Sequence, residues 1–178
     1  MKKLLLASLM VAVLAFGVSA ATTDSDTSTF GVGNEEIAVI ACSGDAGDLL
    51  LVAPAAGAIP TAVNTSASLT YLQYTVVVGA TTKEITAQIT TGPLPTGTVL
   101  KITTIPDAGG LEGTAVTGVG VTTGSAVDVV TAIPSCATGT GGTDGASVQW
   151  ELSVSDITLM DLHAGADITI TFIIADTS

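Results

Sequence analysis

Few side chains in this sequence can do chemistry, and their spacing argues against an active centre. His163 is the only imidazole in 178 residues. A serine hydrolase would need it as the base, yet no Gly-x-Ser-x-Gly elbow is present, and its neighbours Asp161 and Asp167 sit in a connector. His163 therefore reads as a loop histidine. The 16 Asp and Glu residues could in principle supply a carboxylate pair for glycoside hydrolysis. Most fall in turns or, like Glu84 and Glu151, on the polar side of alternating segments, where a solvated carboxylate is the ordinary outcome. Residues 138–145 (Thr-Gly-Thr-Gly-Gly-Thr-Asp-Gly) lack the Lys-Ser/Thr ending of a phosphate loop and the ligand spacing of an EF-hand. They read as a turn. Asp144 with Asp45 and Asp48 could form at most a weak calcium site. No catalytic residue, cofactor or metal ligand is assigned, and the chain is not expected to be an enzyme.

The start of the chain sets the compartment. Lys2 and Lys3 precede an apolar run over residues 4–18, and Val18-Ser19-Ala20 offers small residues for cleavage. This is the layout of a secretory signal peptide. The expected organisation is a signal peptide over 1–20, a Thr/Ser/Asp-rich flexible leader over 21–34, and one domain over 35–178. Position 21 is alanine, so no lipid-attachment cysteine follows the cleavage site. Leu94-Pro95-Thr96-Gly97 lacks the spacing and hydrophobic tail of a sortase signal. The expected location is extracellular or the cell surface, with the periplasm open.

Removal of the signal leaves Lys83 and Lys101 against 16 acids, a net charge of 2 − 16 = −14, with no arginine. Phosphate backbones require a basic footprint, so nucleic acid is not a partner. Apolar runs after residue 20 are far shorter than the roughly 20 residues of a membrane span. Cys42 and Cys136 form an even pair in an oxidising compartment, so a Cys42–Cys136 disulfide is expected. Two free thiols or an intermolecular bond are the alternatives.

Period-two alternation predicts strands over 83–90, with Ile85, Ala87 and Ile89 on one side, and over 147–155, with Val148, Trp150, Leu152 and Val154 inward. It predicts a third over 167–175, where Ile168, Ile170, Phe172 and Ile174 fall together. Less regular strands are expected over 37–41, 49–52, 69–78, 99–105, 116–122 and 127–133. One helical turn is expected over 156–163, capped by Ser155 or Asp156, with Leu159 and Leu162 facing in. Short strands with turn signals between them indicate an all-β chain: a single antiparallel β-sandwich with Greek-key connections, immunoglobulin-like or pilin-like. Its core is aliphatic, with Trp150 as the one large block. Asn64-Thr65-Ser66 fits a glycosylation sequon, which chance also explains.

The chain ends point to assembly. The leader finishes in Phe30-Gly31-Val32, and Ile37, Val39 and Ala41 alternate soon after. Phe30, Val32, Ile37 and Val39 are therefore candidate donor-strand residues for β-strand addition to a neighbour. The alternative is an ordinary strand behind a disordered leader. Gly165, fourteenth from the end, and the alternation of Ile168, Ile170, Phe172 and Ile174 resemble the C-terminal pattern of chaperone–usher pilins. Thr177 departs from it where an aromatic would stand.

Residues 69–176 carry a further resemblance, through Tyr71-Leu72-Gln73-Tyr74-Thr75, Lys83-Glu84-Ile85-Thr86-Ala87-Gln88-Ile89 and Pro95-Thr96-Gly97-Thr98-Val99-Leu100-Lys101. Its strongest parts are Ile133-Pro134-Ser135-Cys136-Ala137-Thr138-Gly139-Thr140-Gly141 and Gln149-Trp150-Glu151-Leu152-Ser153-Val154-Ser155-Asp156. These stretches resemble secreted β-sandwich, fimbria-like surface proteins of Gram-negative bacteria. The chain departs from that group at Ala137, where an aromatic usually follows the cysteine, and in lacking a tyrosine near Trp150. The resemblance implies export and a structural role but no activity. The expected function is a secreted subunit of an extracellular filament or surface assembly that self-associates by strand addition. The alternative is a monomeric glycan- or small-ligand-binding module, with Tyr71, Tyr74 and Trp150 as its platforms and calcium as a conceivable aid.

Overall fold

Alternation along single strands builds both layers of the fold. In the computed structural model the described residues are Gly33, 35–63, 70–106, 111–161 and 167–177. The expected signal and all of the leader but Gly33, Phe30 and Val32 included, lie outside them, as do Asn64, Leu162, His163 and Gly165. β4 (Lys83–Thr91) buries Ile85, Ala87 and Ile89 and turns Glu84, Thr86 and Gln88 outward. β10 (Ala146–Val154) buries Val148, Trp150 and Leu152. β11 (Thr169–Asp176) packs Ile170, Phe172 and Ile174 against the core. The remaining strands are β1 (Ile37–Ser43), β2 (Thr61–Val63), β3 (Thr70–Val77), β5 (Thr98–Ile105), β6 (Thr114–Ala115), β7 (Val119–Val121), β8 (Val127–Ile133) and β9 (Cys136–Ala137).

These strands form two antiparallel sheets, a β-sandwich. The first has the order β1-β3-β10-β5-β7, with β2 also on β10 and β9 also on β3; the second has the order β11-β4-β8-β6. From β3 to β9 each strand lies in the sheet opposite its predecessor, and among the described residues no two consecutive strands pair. Leu72, Val76, Ile102 and Val148 of the first sheet meet Ile85, Ala87, Val129, Val130 and Ile133 of the second. Each large aliphatic side chain so buried contributes about 1.5–3 kcal/mol. Trp150 spans the layers: its ring lies 6.2 Å from that of Phe172, tilted by 54°, and its Nε1 donates to Thr70 Oγ1 at 3.1 Å.

The expected Cys42–Cys136 disulfide is corrected by the structure, in which both residues are free thiols. The register supplies the reason. Cys42 lies opposite Leu72 and Cys136 opposite Val76, on the two edges of β3. Two strand spacings and four residues of rise separate their Cα atoms by roughly 16 Å, whereas a disulfide needs about 4.4–6.8 Å. Other expectations also shift. Residues 49–52 hold only an isolated bridge, Val52 to Thr61. The turn is a short 3₁₀ segment, Ile157–Leu159, capped as expected by Asp156, whose carboxylate accepts from Thr158 N at 2.9 Å. Leu159 is 53% exposed rather than turned inward.

One flank of the sandwich is stitched shut. Ile89 N of β4 donates to Thr122 O at 3.0 Å, Thr104 N donates to Val116 O at 3.1 Å, and Val116 N donates to Val129 O at 3.2 Å. These bonds carry the first sheet across to the second. Thr104 is fully buried at this crossing. Its hydroxyl donates to Val129 O and also accepts from Val116 N at 3.3 Å. Thr104→Val keeps the shape and deletes the hydroxyl. It should cost about 1–3 kcal/mol, seen as a lower urea midpoint at unchanged m-value.

Candidate functional site

The opposite flank is built differently. β1 ends the first sheet and β11 ends the second, and among the described residues each pairs on one side only, β1 with β3 and β11 with β4. Ala38, Ile40 and Cys42 lie opposite Val76, Tyr74 and Leu72. In an antiparallel ladder opposite residues share a face, so this row of β1 faces the core. Its counterpart on β11 is Ile170, Phe172 and Ile174, opposite Ile89, Ala87 and Ile85. The inner partners on β3 and β4 are fully buried, whereas Ile40, Ile170, Phe172 and Ile174 are only half-buried and Cys42 is exposed. A cleft of about 270 Å³ runs between the two edges, lined by Ile40, Ala41, Cys42, Ile170, Thr171 and Phe172.

An ion-pair clamp closes one end of this flank. Lys83, first residue of β4, places Nζ 2.5 Å from Asp176 Oδ1 at the end of β11. The same ammonium pairs with Glu36, immediately before β1. Thr81 Oγ1 also donates to Asp176 Oδ1, at 3.2 Å. The Lys83 side chain is 8% exposed, against 47% for Glu36 and 61% for Asp176. A buried ammonium is thus held by two carboxylates that keep much of their water. The start of β1 meets the end of β11 at the clamp, and residues 40–42 meet 170–172 in the cleft. The two edges therefore run antiparallel past each other. Lys83 was legible as an oddity: it has the parity of Ile85, Ala87 and Ile89, so period two puts a lysine on the apolar face, where it needs a partner.

The residues singled out from the sequence fall in several places. Ile37 and Val39 belong to β1 and lie on its outer face with Ala41, Val39 being 60% exposed. Tyr74 and Trp150 are core residues rather than ligand platforms. The Tyr74 hydroxyl donates to Glu112 O at 2.6 Å, and burial, reinforced by the charges of Glu112 and Cys136, pushes its pKa up. Tyr71 is half-buried. Glu151 lies directly opposite Lys101, with 3.4 Å between Oε1 and Nζ.

The glycine-rich turn is pinned by Gln73 Nε2 donating to Gly141 O and by Ser43 Oγ donating to Gly142 O at 3.2 Å. These bonds, with no disulfide, bring the segment after β1 beside it. Asp144 and Asp45 are occupied as turn acceptors, from Gly141 N at 2.6 Å and Gly47 N at 2.9 Å. Among the described residues no three His, Cys, Asp or Glu side chains gather as a metal site, and no helix is long and apolar enough to cross a membrane. Comparison with protein-family models, with curated proteins and with solved structures finds no match to this chain.

Two outcomes are expected from this geometry. The hydrogen bond and charge of Lys83, helped by Thr81, hold Asp176 below its ordinary value of 3.8. Hydrogen bonds to Asp176 and Glu36 hold Lys83 above its ordinary 10.5, outweighing burial. The Asp176 contribution to stability is complete above 3.8 and is lost as pH falls through its folded pKa; that of Lys83 is complete below 10.5 and is lost as pH rises through its own. Melting temperature measured from pH 2 to 7 should therefore fall less steeply below about pH 4 in Asp176→Asn than in the unaltered chain. Second, reductant should leave the melting temperature unchanged, where a disulfide closing so long a loop would forfeit about 4–5 kcal/mol. Mass spectrometry under denaturing alkylation should count two modified thiols.

Proposed function

We propose that the mature chain is a secreted structural subunit that joins copies of itself by β-strand addition at the open flank, forming a filament or surface layer. The observation that carries this reading is the pair of neighbouring edges, β1 and β11, that no other strand covers among the described residues. An exposed edge presents unpaired N–H and C=O groups, which soluble proteins usually blunt with lysine, proline or a bulge. β1 reads Ile-Ala-Val-Ile-Ala-Cys-Ser, without charge or proline. β11 reads Thr-Ile-Thr-Phe-Ile-Ile-Ala-Asp, charged only at its last residue and irregular only between Thr169 and Ile170. Inside them lies an apolar row that the chain's own described residues leave half covered.

Strand addition fits such a surface. Main-chain bonds supply affinity, and alternate side chains fill the cleft. The N-terminal region of a neighbour supplies the strand in this reading, with Phe30 and Val32 leading into β1. Fourteen residues over 21–34 span up to about 46–50 Å, enough to reach a second copy. A net charge of −14 (2 − 16) on the mature chain opposes indiscriminate contact, so association concentrates where charge is absent. The resemblance of residues 69–176 to fimbria-like proteins points the same way. Export follows from the signal-like N-terminus.

The test is negative-stain electron microscopy with a sizing column, on the chain beginning at Ala21. Filaments or ladders of oligomers are expected. A monomer that persists at millimolar concentration overturns the reading.

A further inference from the structure

Among the strands of this fold β1 is the one least held by its own side chains. Of its seven residues only Ile40 and Ser43 are half-buried, and the other five are exposed. Every central strand contrasts with it; β4 and β10 each bury four residues. Apart from Ile40, which packs against the core, what fixes β1 is its backbone ladder to β3, the Glu36–Lys83 ion pair just before it and the Ser43–Gly142 bond at its end. All of these are made to groups that any second copy of the chain also carries.

The chain leaves β1 through Ser43-Gly44-Asp45-Ala46-Gly47. Gly44 and Gly47 both adopt positive φ, +83° and +65°, the left-handed backbone that only glycine takes without strain. The segment then docks, since Ala46, Leu49 and Leu51 pack against the core. This is a hinge followed by an anchor. Straightening residues 44–47 moves the end of β1 by up to roughly 13 Å and lifts only the small Ala46 from the core, leaving Leu49 and Leu51 docked.

We infer that β1 is the element exchanged between copies: in the assembled form it leaves its own β3, pivots about residues 44–47, and pairs with the β3 edge of the next copy. The inference rests on the assembly reading and narrows it: the donor is β1, and the receiving edge is the β3 that a departing β1 uncovers on the same flank, rather than the outer edge of β1 or β11. An exchanged β1 regains the ladder from Ile37–Val77 to Ser43–Tyr71, and its Glu36 reaches the Lys83 of the receiving copy. The interactions lost and gained are the same, which is why exchanging an identical element is a low-cost route to association. A strand held by interior packing would lose that packing during transfer, and β1 has little to lose. The donated strand carries Ile37 and Val39 on its outer face, continuous with the segment containing Phe30 and Val32.

The register supplies the experiment. Val39 lies directly opposite Thr75. In a Cys42→Ser, Cys136→Ser background of the chain beginning at Ala21, one preparation carries Val39→Cys and a second carries Thr75→Cys. The two are mixed, assembled and oxidised. Exchange of β1 predicts a disulfide-linked dimer band on a non-reducing gel. A third preparation carries both substitutions on one chain and is oxidised as a monomer, which ties β1 to its own β3. Its assembly should be lost and should return with reductant. Assembly that yields no inter-chain bond, or a tied chain that assembles as well as the reduced one, overturns exchange and leaves strand addition standing. Failure of every preparation, the unaltered chain included, to assemble overturns both.

Discussion

Among the described residues every ladder in this sandwich joins strands that are not neighbours along the chain, so the packing of one sheet on the other must hold both together. β3 does not pair with β4, nor β4 with β5; each lies across the core from the next. A local hairpin can form before the rest of a protein, but here loop-closure entropy is spent before any ladder exists. The compensating term is the dry aliphatic interface of Leu72, Ile102 and Val148 against Ile85, Val130 and Ile133, all but fully buried. Trp150 and Phe172 add an aromatic contact between layers at β11.

The two flanks resolve the edges of those sheets in opposite ways. On one side backbone bonds through Val116 and Thr122 carry the first sheet into the second, and the buried hydroxyl of Thr104 satisfies the groups at the crossing. On the other side, no backbone bond among the described residues joins β1 to β11, and a single ammonium does the joining. Beyond residue 20 the sequence holds only two lysines. Lys101 is spent on an exposed cross-strand pair with Glu151, of a kind worth little. Lys83 is withdrawn from water and answered by two carboxylates. Removing the lysine would leave hydrated acids, whereas removing both acids would strand a buried charge.

Much of this was legible in the sequence where one strand could be read alone. The alternation in β4, β10 and β11 gives both their extent and their inward residues, and β8 stands where its β-branched run is. Strand order was not legible, because it is fixed by the meeting of distant strands and no hairpin turn announces a partner. The same cause hid β2, β6 and β9, which exist only because β10, β8 and β3 offer them an edge. In β1, Ile37, Val39 and Ala41 alternate as an inner row would, yet the ladder to β3 turns Ala38, Ile40 and Cys42 inward. An edge strand with apolar residues on both faces leaves its phase to its neighbour. The cysteine pairing misled for a related reason: an even count carries no information about which side of β3 each thiol occupies.

The place of β10 in the first sheet has a consequence for the order of events during synthesis. β2, β3 and β5 all bond to it, and without it the sheet is not continuous. β4 likewise waits for β11 to cover its outer edge. A chain delivered N-terminus first therefore holds no finished sheet until its final strands arrive. Until then β3, β5 and β4 each keep an edge open for β10 or β11, so the edges most exposed to a wrong partner are those whose right partner is made last.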